Sequence, residues 1–101
     1  MRVLVFFDLP TKTKSDKKAY ILFRTHLIKM GFFMMQESVY SKLVLNGSMR
    51  EAVEHDICQH RPRKGIVQMM SITEKQYSSI KVITGQVPLD TVNDNRRIVI
   101  L

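Results

Sequence analysis

The side chains able to do chemistry are few, and most fall at the ends of candidate elements. Asp8 follows the wholly apolar run Val3-Leu4-Val5-Phe6-Phe7 and precedes Leu9-Pro10. A carboxylate there can serve as a hard oxygen ligand for Mg²⁺ or Mn²⁺, or simply cap a turn before the proline. If two copies of the chain bring two such carboxylates together, a divalent cation relieves their repulsion. Two carboxylates leave Mg²⁺ mostly water-coordinated, so the ion would be weakly held. No other carboxylate lies near enough in sequence to complete a two-metal nuclease centre, which makes catalysis at Asp8 the weaker reading. The second group is cationic: Lys12, Lys14, Lys17, Lys18, Arg24, Arg61, Arg63 and Lys64. These are either a solvated surface or a set of phosphate contacts, and for Arg24 a structural role is equally open. His26, His55 and His60 form no ligand spacing with a cysteine, so solvated or locally bonded histidines are expected rather than a zinc site. Cys58 reads as a small packing residue. Met30, Met34, Met35, Met69 and Met70 read as core.

A chain of 101 residues allows one compact domain. Hydrophobic residues at 45% and charged residues at 25% give a globular balance rather than a disordered one. No apolar run approaches the roughly 20 residues of a membrane helix. The start, MRVLVFFDLP, has too short an apolar stretch for a signal peptide, so a cytoplasmic protein is expected. One cysteine excludes an intramolecular disulfide and a cysteine-built zinc site. Sixteen basic against nine acidic residues give +7. The excess is uneven: residues 1–50 carry nine and three, a balance of +6, and residues 51–101 carry seven and six, a balance of +1. Such a charge fits a polyanionic partner, because each neutralised phosphate releases condensed counterions.

The elements that must position these residues follow from periodicity. Val3 to Phe7 lacks alternation and predicts a strand buried on both faces. Thr13, three residues before Asp16, resembles a helix cap, and Ala19, Tyr20, Phe23, Leu27 and Met30 then recur at helical spacing up to Gly31. Lys14, Lys18 and Lys29 project from the opposite face, with Lys17 and Arg24 flanking the stripe. Phe32–Gln36 and Val39–Leu45 read as strands around the polar pair Glu37-Ser38. Ser48 and Glu51 form an S-x-x-E box opening a helix with Met49, Ala52, Val53 and Ile57 on one face. That helix ends before Pro62, and Ile66–Ile72 is a fourth strand. The order βαββαβ predicts an α+β, ferredoxin-like domain over residues 1–84 with an antiparallel sheet. Ile80–Thr84 is compatible with a further strand. Beyond it, residues 85–101 read as a polar loop and a terminal strand, Arg96–Leu101, pairing with an edge of its own or a partner's sheet.

Crossover handedness places the Asp8–Lys14 loop, the Glu37-Ser38 turn and the Arg61–Gly65 loop at one end of the sheet. That end gathers Asp8, Lys12, Lys14, Arg61, Arg63 and Lys64, with the basic helix face running away from it. The helices cover one sheet face, yet the runs VLVFF, FFMM and IVQMM are apolar on both. A homodimer is the commonest way to cover the remainder. Nothing in the pattern points to base-edge reading, so the expected ligand is double-stranded DNA bound without regard to sequence. An RNA-recognition module would share the fold, but SVYSKLVL lacks the paired aromatics that stack bases.

Five segments carry a family resemblance: VFFDLP, the basic amphipathic helix after it, GFFMMQESVYSKLVL, PRKG and ITEKQY. Together, across residues 1–84, they resemble the small CRISPR-associated adaptation protein family, Cas-two (Cas2), and most closely its type II members. The resemblance implies a ferredoxin-like homodimer at the centre of a complex with the Cas-one integrase. Such a complex captures foreign DNA fragments and inserts them into the CRISPR array as spacers. It also implies, as an alternative, a metal-dependent nuclease acting on RNA or DNA. The aspartate after the first strand, here Asp8, would then be the Mg²⁺ or Mn²⁺ ligand.

Overall fold

The structure is a computed structural model that describes residues 1–85. The expected terminal strand Arg96–Leu101 lies outside the described residues. Seven elements run in the order β1 (Arg2–Asp8), α1 (Lys14–Lys29), β2 (Phe33–Gln36), β3 (Val39–Leu43), α2 (Gly47–Gln59), β4 (Ile66–Ile72) and α3 (Glu74–Ser78). The first six are the βαββαβ pattern, in one antiparallel sheet ordered β2-β3-β1-β4. This is the ferredoxin-like arrangement.

The central place of β1 between β3 and β4 goes with its unbroken apolar run, in which Val3, Leu4, Val5 and Phe7 are buried. Val3, Val5 and Phe7 point to the helical side and join Phe23 and Leu27 of α1 with Val53 and Ile57 of α2 in one core. Phe7 is its hub. Its ring meets Phe23 edge-on at 5.3 Å and Tyr20 at 5.8 Å, and stacks on Tyr40 at 5.6 Å. Such pairs add stabilisation beyond area burial.

Helix starts are set by side chains. Thr13 Oγ1 accepts from the Asp16 N–H at 3.0 Å, and the Asp16 carboxylate accepts from the Thr13 N–H at 3.3 Å, a complete capping box. For α2 the cap is Asn46, whose Oδ1 accepts from the Met49 N–H at 2.9 Å, and not the expected Ser48-Glu51 box. An asparagine side chain is as good a cap as serine, and here it takes the N–H of its own third residue, so the helix starts two residues earlier than expected. The outer face of α1 is basic as expected, but it also exposes Ile21, Leu22 and Ile28. Cys58 is exposed on α2, so it is not the packing residue the sequence implied. Met30 and Met69 pack against the core, whereas Met34 and Met70 are exposed.

The expected strand at Ile80–Thr84 is absent; a helical turn, α3, follows β4 and the chain then runs irregularly. Thr73 and Gln76 close a capping box that starts α3. Its Tyr77 is buried, with the Arg2 guanidinium 4.2 Å above the ring. Arg2 also pairs with Glu74 at 3.0 Å, and the terminal ammonium lies 3.6 Å from the same carboxylate. Arg2 alternates with Val3, so it lies on the second sheet face. Part of that face is therefore served by the chain itself. Leu43, Ile66 (59% exposed) and Met70 (48% exposed) stay open on it.

Candidate nucleic-acid interface

Pairing within the sheet confirms which loops share an end. Phe6 pairs with Val39 and Asp8 with Ile66, and the Phe7 N–H donates to Ser38 O at 3.0 Å. The 9–13 loop, the Glu37-Ser38 turn and the 60–65 loop therefore meet at the C-terminal end of β1. Gly65 makes the approach possible. Its φ is +87°, and a Cβ there would sit 2.5 Å from the Asp8 carbonyl oxygen and 2.8 Å from Leu9 Cδ2. Only glycine adopts that angle and leaves that space without cost.

Four lysines surround the start of α1: Lys12, Lys14, Lys17 and Lys18, all exposed. The helix dipole disfavours cations at this end, so their placement works against local stability. The one acid in the first turn, Asp16, is already committed. Its carboxylate caps Thr13, is itself buried, and lies 3.4 Å from Lys64 Nζ. The Thr13 N–H holds the Asp16 carboxyl below its ordinary value of 3.8; burial opposes this and the Lys64 ammonium reinforces it. The Lys64 contact ties the helix start to the 60–65 loop. There Arg61 Nη1 donates to the Cys58 carbonyl at 2.9 Å, which fixes the guanidinium beside the end of α2. A cavity of about 690 Å³ opens between α1 and this loop, with Asp16, His26, His60, Arg61, Arg63 and Lys64 among its lining.

The structure thus gathers Arg61, Arg63 and Lys64 on one cavity wall, with Lys12, Lys14, Lys17 and Lys18 around the adjoining helix start. Arg24 is exposed and, among the described residues, makes no hydrogen bond or ion pair; Lys64 alone of the eight has an acidic partner. Asp8 is exposed, and among the described residues its carboxylate has no ion-pair partner and joins no group of three metal-ligating side chains. One such carboxylate does not fit a nuclease metal, which needs several fixed oxygen ligands. No catalytic step follows from it within one chain.

Sequence reasoning missed a different cluster. His26 on α1 and Asp56 and His60 at the end of α2 bring one ligand atom each within 4.8 Å of one another. The 29 residues between His26 and Asp56 hid the encounter. Only the Asp56-to-His60 spacing of one helical turn was visible in the sequence.

The family model described as CRISPR associated protein Cas2 matches residues 1–80. The chain belongs to the Cas2 family of CRISPR-associated proteins. A Treponema denticola relative named CRISPR-associated endoribonuclease Cas2 is 45% identical over 101 residues, covering all of both chains. A Streptococcus mutans Cas2 of the same name is 39% identical, covering all of this chain and 93% of its own length. The crystal structure of Streptococcus pyogenes Cas2 at pH 6.5 superposes with a TM-score of 0.64 at 15% identity, covering 83% of this chain and all of that one. At that identity the likeness speaks for the Cas2 fold alone. No described helix is long and apolar enough to cross a membrane.

Proposed function

We propose that the protein is the DNA-binding scaffold of CRISPR spacer acquisition: a cytoplasmic homodimer that holds double-stranded DNA by its backbone and bridges dimers of the Cas-one integrase. The observation that carries the reading is the set of uncompensated lysines at the start of α1, continued by Arg61, Arg63 and Lys64. Residues that oppose the helix dipole are retained at a cost, which a phosphate ligand offsets. Lys12, Lys14, Lys17, Lys18, Arg24, Arg61 and Arg63 are the contacts proposed, with Lys64 sharing its charge with Asp16. Twofold symmetry across the Leu43, Ile66 and Met70 face would double the basic surface.

The deciding experiment combines binding and integration. The protein with Lys12, Lys14, Arg61 and Arg63 all changed to Ala should lose affinity equally for duplexes of unrelated sequence. Its salt slope should flatten by up to about 0.9 per lost contact. Reconstituted with the integrase, it should insert spacers poorly. Unaltered affinity and slope would refute the interface.

The relatives' name, endoribonuclease, favours a second reading, an endonuclease, for which the residue proposed here is Asp8 acting with a metal ion. It requires the Asp8 carboxylates of two chains to share a Mg²⁺ or Mn²⁺ ion. On the scaffold reading Asp8→Asn leaves DNA binding and insertion near normal. On the nuclease reading it abolishes metal-dependent cleavage of RNA or DNA. Loss of insertion with dimer and DNA binding intact would overturn the scaffold reading.

A further inference from the structure

The cavity between α1 and the 60–65 loop has an apolar lining that phosphate contacts leave unused. Its α1 wall carries Ser15, Ala19, Leu22, His26 and Lys29, spaced alternately by four and three residues along one helix face. Leu9, Pro10 and Phe23 extend the apolar lining, and Pro62 adds to it from the loop. Two contacts tie the walls together. Asp16 Oδ1 lies 3.4 Å from Lys64 Nζ, and the His26 and His60 rings stack with centroids 3.7 Å apart. Asp56 Oδ1 reinforces the second tie, 3.4 Å from His26 Nε2 and 3.1 Å from His60 Nδ1. Asp16 and His26 are ten positions apart on α1, about 15 Å along its axis. The cavity is thus a bowl held open between two ties, which lowers the ordering cost of filling it.

The charge of the lining selects the occupant. Lys29, Arg61 and Arg63 line the bowl, and among the described residues none of them has an acidic partner. The one lining carboxylate, Asp16, is engaged by the Thr13 N–H and by Lys64. An apolar floor under a cationic rim complements a segment that is apolar on one side and acidic on the other. A phosphate backbone has nothing apolar to set against Leu9, Ala19 and Leu22. Small-ligand pockets enclose most of their ligand, whereas Leu22 stands 61% exposed on the wall. A second copy of the chain would bring the same +7 and be repelled. We propose that the bowl docks an acidic amphipathic helix of another protein. Its apolar side chains at i, i+3 or i+4 and i+7 enter between the two ties, and its carboxylates meet Lys29, Arg61 and Arg63. Positions i to i+7 span about 10.5 Å, which fits within the roughly 15 Å between the ties. Arg61 and Arg63 also belong to the proposed phosphate contacts, so the helix and DNA exclude one another at that wall. The docking itself does not rest on the DNA-binding reading.

The test selects random peptides of about four helical turns, displayed on phage, against the full chain. Counter-selection uses Leu22→Ser, which changes an exposed residue outside the phosphate contacts and should leave folding and duplex affinity as they are. Enriched peptides should be net acidic, with apolar residues at helical spacing. A synthetic copy of one should bind Leu22→Ser about fivefold or more weakly. Lys29→Ala should weaken it by about twofold to fivefold. Amide resonances of Ala19, Leu22 and Arg63 in the wild-type protein should shift when that peptide is added, a readout that needs no variant. Absence of enrichment, a neutral or basic consensus, or apolar residues at a period of two would overturn the inference. So would shifts of the same amides on adding a synthetic peptide of residues 86–101, which would give the bowl to the chain's own segment. A change in self-association caused by Leu22→Ser would give it to a second copy and overturn the inference equally.

Discussion

Two residues hold the interface in place, and each makes a separate prediction. Gly65 carries a positive φ and lies against the Asp8 backbone. Gly65→Ala should cost about 2 kcal/mol or more, combining left-handed strain with the displacement of Asp8 and Leu9. Gly47 starts α2 with nothing within 4 Å of a Cβ, so Gly47→Ala should be neutral or slightly stabilising. Urea unfolding of the pair measures the contrast. Asp16 links acid stability to the same region. Its folded carboxyl titrates below 3.8, so its contribution is complete well above that pH and is lost as pH falls through the lowered value. Asp16→Asn should flatten the acid limb of the stability profile below about pH 5 and change its slope little above it. Thermal midpoints from pH 2 to pH 7 follow this directly. The Thr13-Asp16 box was legible because both partners lie within four residues. The ammonium of Lys64 was not, since 48 residues separate it from Asp16.

At the scale of elements, α1 sets stability against binding. Lys14 and Lys17 sit in or beside the first turn, where the dipole penalises cations. Changing both to Ala should stabilise the folded chain by about 0.5–1 kcal/mol while lowering duplex affinity. Denaturant midpoints and fluorescence anisotropy on one protein sample test both signs. A loss of stability would remove the argument that these lysines are kept for a ligand. In the core, Phe7→Ala should cost about 3–5 kcal/mol, because three aromatic rings lose their shared partner. Six of the seven elements were readable, because each has a clear apolar period and a polar, glycine or proline stop. The seventh, α3, was hidden by the β-branched residues at Ile80, Val82 and Ile83, although its Thr73–Gln76 box was in plain view. Asn46 displaced Ser48 as a cap because both are good capping residues two positions apart, and only geometry chooses where the helix starts.

For the whole molecule, the open second face is the feature to test. Met70 and Ile66 stand exposed there beside Leu43. Met70→Glu should convert the proposed homodimer to monomer, since a twofold contact would place two like charges together. Light scattering at micromolar concentration reads the change, and a monomeric wild type would remove the dimer. The sequence foresaw an uncovered apolar face but assigned none of it to the chain's own α3, because the contact between Arg2 and Tyr77 spans 75 residues. That same separation shapes how the chain reaches its fold. The ribosome delivers β1 first, yet its neighbours β3 and β4 complete their pairing only with Leu43 and Ile72. Arg2 finds its partner Ile72 after seventy intervening steps along the chain, so loop closure is paid late. Until β4 emerges, the most apolar strand of the protein has an open edge, and its shielding falls to whatever holds the nascent chain.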